Sequence, residues 1–225
     1  MNFFQTYFYF TGALIYFIFW LIIFIRSSSK NEMLITGIIF AICSYLMAIF
    51  YSLNDYWKPV YINETLKIED WLYGFIFGGL LAGVYQSTFK LKLVRIKPDI
   101  MWWYGFFCVA TLVLTSVILT NLAGINSIWS LIISPLIVSI VGIFLRQDLI
   151  KAAIFTSLFS VTITLVVFLI LLQLAPQMIH NFWITDNLIG IYLFKIPIEE
   201  LLFACSLGFA APVVYKFFTH TRLQS

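Results

Sequence analysis

The sequence predicts an all-α integral membrane protein with seven transmembrane helices, arranged as two parallel three-helix repeats joined by a linking helix. Three observations carry that prediction. The 225 residues are 62% hydrophobic and 10% charged, with mean hydropathy +1.00, whereas a soluble domain is about 25% charged. Apolar runs of about 20 residues, the length that crosses the hydrocarbon, recur along the whole chain. One acidic device, a pair of adjacent carboxylates heading an apolar run, occurs twice, 130 positions apart.

The runs place spans at 3–25, 33–52, 69–89, 101–123, 126–145, 152–174 and 198–218. The first has no basic stretch before it and is of span length, so it reads as a membrane helix rather than a cleavable leader. Arg26 to Glu32 is a polar turn, Asn54 to Lys67 a longer loop holding Pro59, and Phe89 to Asp99 a basic one. Gly124 and Ile125 leave a tight hairpin. Arg146 to Lys151 is short, and Ala175 to Pro197 is the longest and most aromatic connection.

Alternate loops differ in charge. Ten of the 13 Lys and Arg residues fall on one side: Arg26, Lys30, Lys90, Lys92, Arg95, Lys97, Arg146, Lys151, Lys216 and Arg222. Lys58, Lys67 and Lys195 fall on the other. Basic loops stay cytoplasmic, so the N-terminus is expected outside and the C-terminus inside. The scattered cations, with no soluble basic domain, exclude a nucleic-acid binder.

The acidic pairs are Glu69-Asp70, in Ile68-Glu69-Asp70-Trp71-Leu72-Tyr73, and Glu199-Glu200, in Pro197-Ile198-Glu199-Glu200-Leu201-Leu202-Phe203. Both head helices descending from the outer face. Three spans end in each pair, which divides the chain into a first repeat at 1–90, a linking span at 91–124 and a second repeat at 125–225. Parallel repeats are related by an axis along the membrane normal, with a site expected at their interface. Gly74, Gly78, Gly79 and Gly83 in the third span are small-xxx-small pairs that bring helices close.

Two readings of the acids stand side by side. Carboxylates at helix starts are stabilised by free N–H groups and the helix dipole. Buried between repeats, an acid instead stays protonated and, beside an ionised partner, supplies a donor and an acceptor. Asp55 lies in the loop before the first pair. Trp57, Trp71, Tyr73, Trp183, Tyr192 and Phe203 surround the pairs, as an interfacial belt or as faces that stabilise cations. Cys43, Cys108 and Cys205 sit in apolar runs as small core residues. His180 and His220 lie on opposite faces, so no metal site is expected, and without GxGxxG no dinucleotide fold is expected. No cofactor is expected.

At these residues the sequence resembles the membrane-integral, FAD-independent lycopene cyclases of archaea, actinobacteria and fungi. Residues 197–203 match that family's Pro-(Ile/Leu)-Glu-Glu-x-Leu-Phe signature. Trp183 through Gly190-Ile191 is similar to the approach to it, Asn54-Asp55-Tyr56-Trp57 to its acid after the second span, and residues 68–73 to its first signature. The chain departs in Lys67 for proline, Asp70 for the second glutamate, and Ala204 to Gly208 without an asparagine. No acid stands in the second unit at the place of Asp55.

The resemblance implies redox-neutral, acid-initiated cyclisation of a linear carotenoid end to a β-type ring. Glu199 or Glu200 would be the acid, Glu69 or Asp70 the cation stabiliser or proton acceptor, and Asp55 an orienting group. Trp71, Tyr73, Phe203, Pro197 and Trp183 would shape the substrate site. The implied partners are the carotenoid in the bilayer, membrane lipids and other carotenoid-pathway enzymes. Two alternatives compete: a transport-type or non-catalytic protein on a degenerate cyclase fold, and a retinal-binding sensory protein. The latter needs a lysine in mid-span; Lys216, near the cytoplasmic end, reads as a snorkelling side chain.

Overall fold

The computed structural model describes residues 3–49, 55–95 and 102–224. Asn54, residues 50–52 of the second predicted span, Lys97, Asp99, residue 101 and the side chain of Cys108 lie outside the described residues.

The described residues are helical almost throughout. Its helices are α1 (Phe3–Thr6), α2 (Phe8–Arg26), α3 (Lys30–Met47), α4 (Ile68–Phe89), α5 (Trp102–Asn121), α6 (Ser127–Leu145), α7 (Ile150–Leu174), α8 (Met178–Phe182) and α9 (Ile198–Thr219). The first predicted span is thus a short turn of helix and a long one, broken at Tyr7. Among the described residues, five segments are long and apolar enough to cross a membrane: Phe8–Arg26, Lys30–Met47, Ser127–Leu145, Gln147–Leu174 and Ile198–Phe217.

Local chemistry sets the helix ends. Asn126 caps α6, its side chain accepting from Ile128 N at 3.1 Å. Pro197 precedes α9 with φ −57°, the value its ring imposes at a helix start. α4 and α9 close alike, on Lys90 (φ 54°) and His220 (φ 50°) in the left-handed region. Each is 22 residues long with acids in its second and third positions.

Each of these two helices packs on a partner through glycine. A Cβ at Gly74 would lie 2.5 Å from the Phe40 carbonyl oxygen, and one at Gly78 2.5 Å from Phe40 Cβ. Gly79 and Gly83 meet Met33 in the same way, so all four glycines seat α4 against α3. Gly208 does this for α9, where a Cβ would fall 2.5 Å from Ser157 Cα on α7. Ser160 Oγ donates to the Ala204 carbonyl at 2.6 Å along the same contact.

The ends of the bundle are tied by backbone pairing. β1 (Lys92–Arg95) runs antiparallel to β4 (Thr221–Gln224), with Leu93 opposite Leu223. At the other end β2 (Tyr192–Leu193) and β3 (Ile196–Pro197) form a hairpin. There, Lys58 N donates to the Phe182 carbonyl at 2.7 Å and Ile184 N to that of Tyr56 at 2.9 Å. This stitches the loop after α3 to the loop after α8.

Candidate functional site

A cavity of about 160 Å3 lies among α2, α3, α4, α5, α6, α7 and α9. One water needs roughly 10–15 Å3 measured this way, so the space takes a much larger group. Its wall is apolar and aromatic, with Tyr16, Phe77, Val109 and Phe168 on different helices. Among its lining residues only two are acids, Asp70 and Glu200. They come from equivalent positions in α4 and α9, and both are buried.

Glu200 is held from above. Trp183 Nε1 donates to Glu200 Oε1 at 2.7 Å, and the Tyr56 hydroxyl donates to the same oxygen. The stitched loops explain this convergence: pairing of residues 56–58 with 182–184 sets Tyr56 and Trp183 side by side. With two donors on Oε1, a proton on this carboxyl resides on Oε2.

Asp70 has a matching arrangement. The Tyr9 hydroxyl donates to Oδ1 at 2.8 Å, and Oδ2 is buried. Tyr61, in the loop before α4, lies beside it. Burial first, and the Asp70 charge second, hold the Tyr61 phenol well above its ordinary range.

The first acid of each pair does something else. Glu69 Oε1 accepts from Ile62 N at 2.7 Å, and Glu199 Oε1 accepts from Ile189 N at 2.7 Å. Both are fully buried, and neither lines the cavity. Each fastens the loop leading into its own helix. Adjacent helical residues point about 100° apart, so one acid turns to the cavity and its neighbour to the loop.

Asp55 lies outside the cavity lining as well. It accepts from Ser127 N at 2.8 Å and from the Ser127 hydroxyl, at the first turn of α6. Asn187 Nδ2 donates to its carbonyl at 2.7 Å. Asp55 thus joins the two halves of the chain.

Of the aromatic residues singled out above, Trp57, Tyr73, Trp183 and Phe203 line the cavity. Trp71 faces outward, its ring 4.8 Å from that of Tyr45, and Pro197 is buried in β3. Tyr9 and Tyr56 are the site residues that the sequence did not single out. Tyr9 is one tyrosine in an aromatic-rich helix, 61 residues from the acid it serves.

Lys216 does not snorkel. It is fully buried, and its Nζ donates to Glu32 Oε1 at 2.7 Å and to the Pro212 carbonyl at 3.1 Å. Gln86 Nε2 donates to Glu32 Oε2 at 2.5 Å. A carboxylate 184 positions away supplies what the water of an interface would have given. Lys216 is not part of the cavity lining.

Residues 126–218 fit the family model described as lycopene cyclase. That stretch holds Trp183, Glu199, Glu200 and Phe203. No curated protein and no solved structure matches the chain.

Proposed function

We propose, from the match of residues 126–218 to the lycopene cyclase family model, an enzyme that closes the end of a linear carotenoid into a β-type ring, without a redox step. The observation that carries this reading is the pairing of Glu200 and Asp70 across an apolar, aromatic-walled cavity that holds no other acid in its lining.

Glu200 is the acid. Its Oε2 proton passes to the terminal double bond of the polyene, whose π pair forms the new C–H bond and leaves a tertiary cation. The next double bond attacks that cation, forming the ring C–C bond and moving the charge into the ring. Loss of a ring proton restores a double bond. Asp70, buried in the cavity wall with Tyr9 and Tyr61 beside it, faces that positive charge and takes the proton. One proton enters and one leaves, so no oxidant is needed. The aromatic faces of Tyr73 and Phe203 lower the cost of the cation, each by about 1–2 kcal/mol where water is excluded. Glu69, Glu199 and Asp55 hold loops and a helix end, and so fix the two acids.

We place the protein in the membrane with all seven long helices crossing it, the N-terminus outside and the C-terminus in the cytoplasm. At 1.5 Å per residue α4 is about 33 Å long, enough to cross the hydrocarbon. Residues 1–90 and 125–225 are two parallel repeats with 91–124 between them. The matched lengths and acids of α4 and α9 support this, as does the offset. Leu93 pairs with the residue 130 positions on, the separation of Glu69 from Glu199. The retinal reading has no such support, since Lys216 is engaged by Glu32 away from the cavity. Expression in a bacterial host that accumulates lycopene tests the function: ring-bearing pigments are expected by chromatography. Unchanged lycopene, and unchanged longer carotenoids, with the protein in the membrane would favour the non-catalytic or transport reading.

A further inference from the structure

The β2–β3 hairpin stands out from the bundle. Its residues Ile189, Ile191, Tyr192, Leu193 and Phe194 are exposed, Phe194 the most at 64%. Successive strand residues point to opposite faces. Exposure of Ile191, Tyr192 and Leu193 together therefore means that the described protein covers neither face of this strand, whereas Ile196 and Pro197 of β3 are buried against the bundle. An isolated two-stranded hairpin is marginal in water, so this one needs another surrounding.

The turn adds an independent observation. Phe194 and Lys195 both have positive φ, 51° and 69°. Asn and Gly are the usual residues there because they reach this region at little cost. A phenylalanine at the tip keeps a strained backbone in return for a projecting aromatic ring. Tyr192, Phe194 and Lys195 are moreover the residue types that anchor at a membrane surface, rings at the headgroups and a lysine reaching to water.

Two further features fit a lipid surrounding. The hairpin runs straight into α9, whose Ile198–Phe217 stretch is apolar enough to cross a membrane, so it sits where that helix enters. Its backbone is also largely satisfied from within. β2 pairs with β3, Ile198 N donates to the Ile191 carbonyl at 3.0 Å, and Ile189 N donates to Glu199 Oε1. Apolar surroundings demand this of any backbone they admit.

We propose that residues 189–195 form an anchor inserted in the interfacial layer of the outer leaflet, with Phe194 at its deepest point and Glu199 fixing its base. Its partner is the lipid bilayer. The anchor is joined to the helix that carries Glu200, and it holds that end of the site at the bilayer surface, where an apolar chain passes from lipid to protein. This rests on the membrane placement above, and the test separates the two.

Cys43, Cys108 and Cys205 are replaced by alanine, and single cysteines are introduced as Phe194→Cys and, on the outward face of α6, Phe144→Cys. Phe144 is 80% exposed. Each is labelled with a nitrobenzoxadiazole dye and the full chain is reconstituted in phosphatidylcholine vesicles. Quenching of both labels by doxyl lipids, with iodide quenching reduced severalfold from the free dye, supports the anchor. Lipid quenching at 144 with free iodide access at 194 overturns it and leaves the hairpin in water as a protein-facing surface. No lipid quenching at either position overturns the anchor together with the membrane placement.

Discussion

The Trp183 indole N–H and the Tyr56 hydroxyl meet on one oxygen of Glu200, from two loops stitched together at one end of the bundle. A carboxyl gripped at Oε1 presents its other oxygen in a fixed direction, which is what proton transfer to a carbon atom requires. Trp183→Phe keeps an aromatic ring and removes the donor. Turnover should fall roughly ten-fold, the worth of one hydrogen bond of about 1.4 kcal/mol. Tyr56→Phe should act alike, and the double variant should lose more than either. Initial rates at matched protein levels in membranes check this; unchanged rates in both single variants would detach these donors from the chemistry.

Glu199 and Glu200 are adjacent yet perform different tasks in this account. Glu200→Gln should lower cyclisation by about 100-fold or more, the contribution of general acid catalysis, with the protein still inserted. Glu199→Gln loses part of its hold on the loop at Ile189, so the thermal midpoint should fall while measurable turnover remains. Product yield and thermal unfolding measured on both variants separate the roles. The reverse pattern would exchange them.

The buried pair Glu32–Lys216 predicts an asymmetric energy. Lys216→Met leaves a buried carboxylate with Gln86 as its only other side-chain partner among the described residues, and should cost about 3–5 kcal/mol. Adding Glu32→Gln removes the stranded charge and should recover most of that loss. Thermal unfolding of the single and double variants in detergent checks it; equal losses in both would show that charge burial is not the cause.

Helix contact through Gly208 allows no side chain. Gly208→Ala sets a methyl 2.5 Å from Ser157 Cα, and overpacking of this kind costs about 1–3 kcal/mol. A lowered thermal midpoint is expected, with α7 and α9 forced apart. An unchanged midpoint would mean that the two helices meet less closely than described.

How much of this was legible in the sequence follows from the range of each interaction. Helix ends were, because apolar runs and punctuation are local: the third span was read at 69–89 and α4 covers Ile68–Phe89. The acid pairs were visible as a repeated pattern. Which acid of each pair faces the cavity was not, since a loop contact decides it, Ile62 for one and Ile189 for the other. Tyr9 and Glu32 were invisible for a similar reason. Their partners lie 61 and 184 positions away, and nothing nearby in the sequence marks them. Asp55 was singled out for chemistry, while its geometry is that of a residue holding the start of α6.

The most direct test of acid-initiated cyclisation follows solvent hydrogen into product. Membranes containing the protein are equilibrated in deuterium oxide and supplied with lycopene, and the pigments are resolved by chromatography with mass detection. If Glu200 delivers an exchangeable proton to the terminal double bond, every ring formed carries one deuterium. Rings formed without deuterium, or lycopene left unchanged by the inserted protein, would contradict the account.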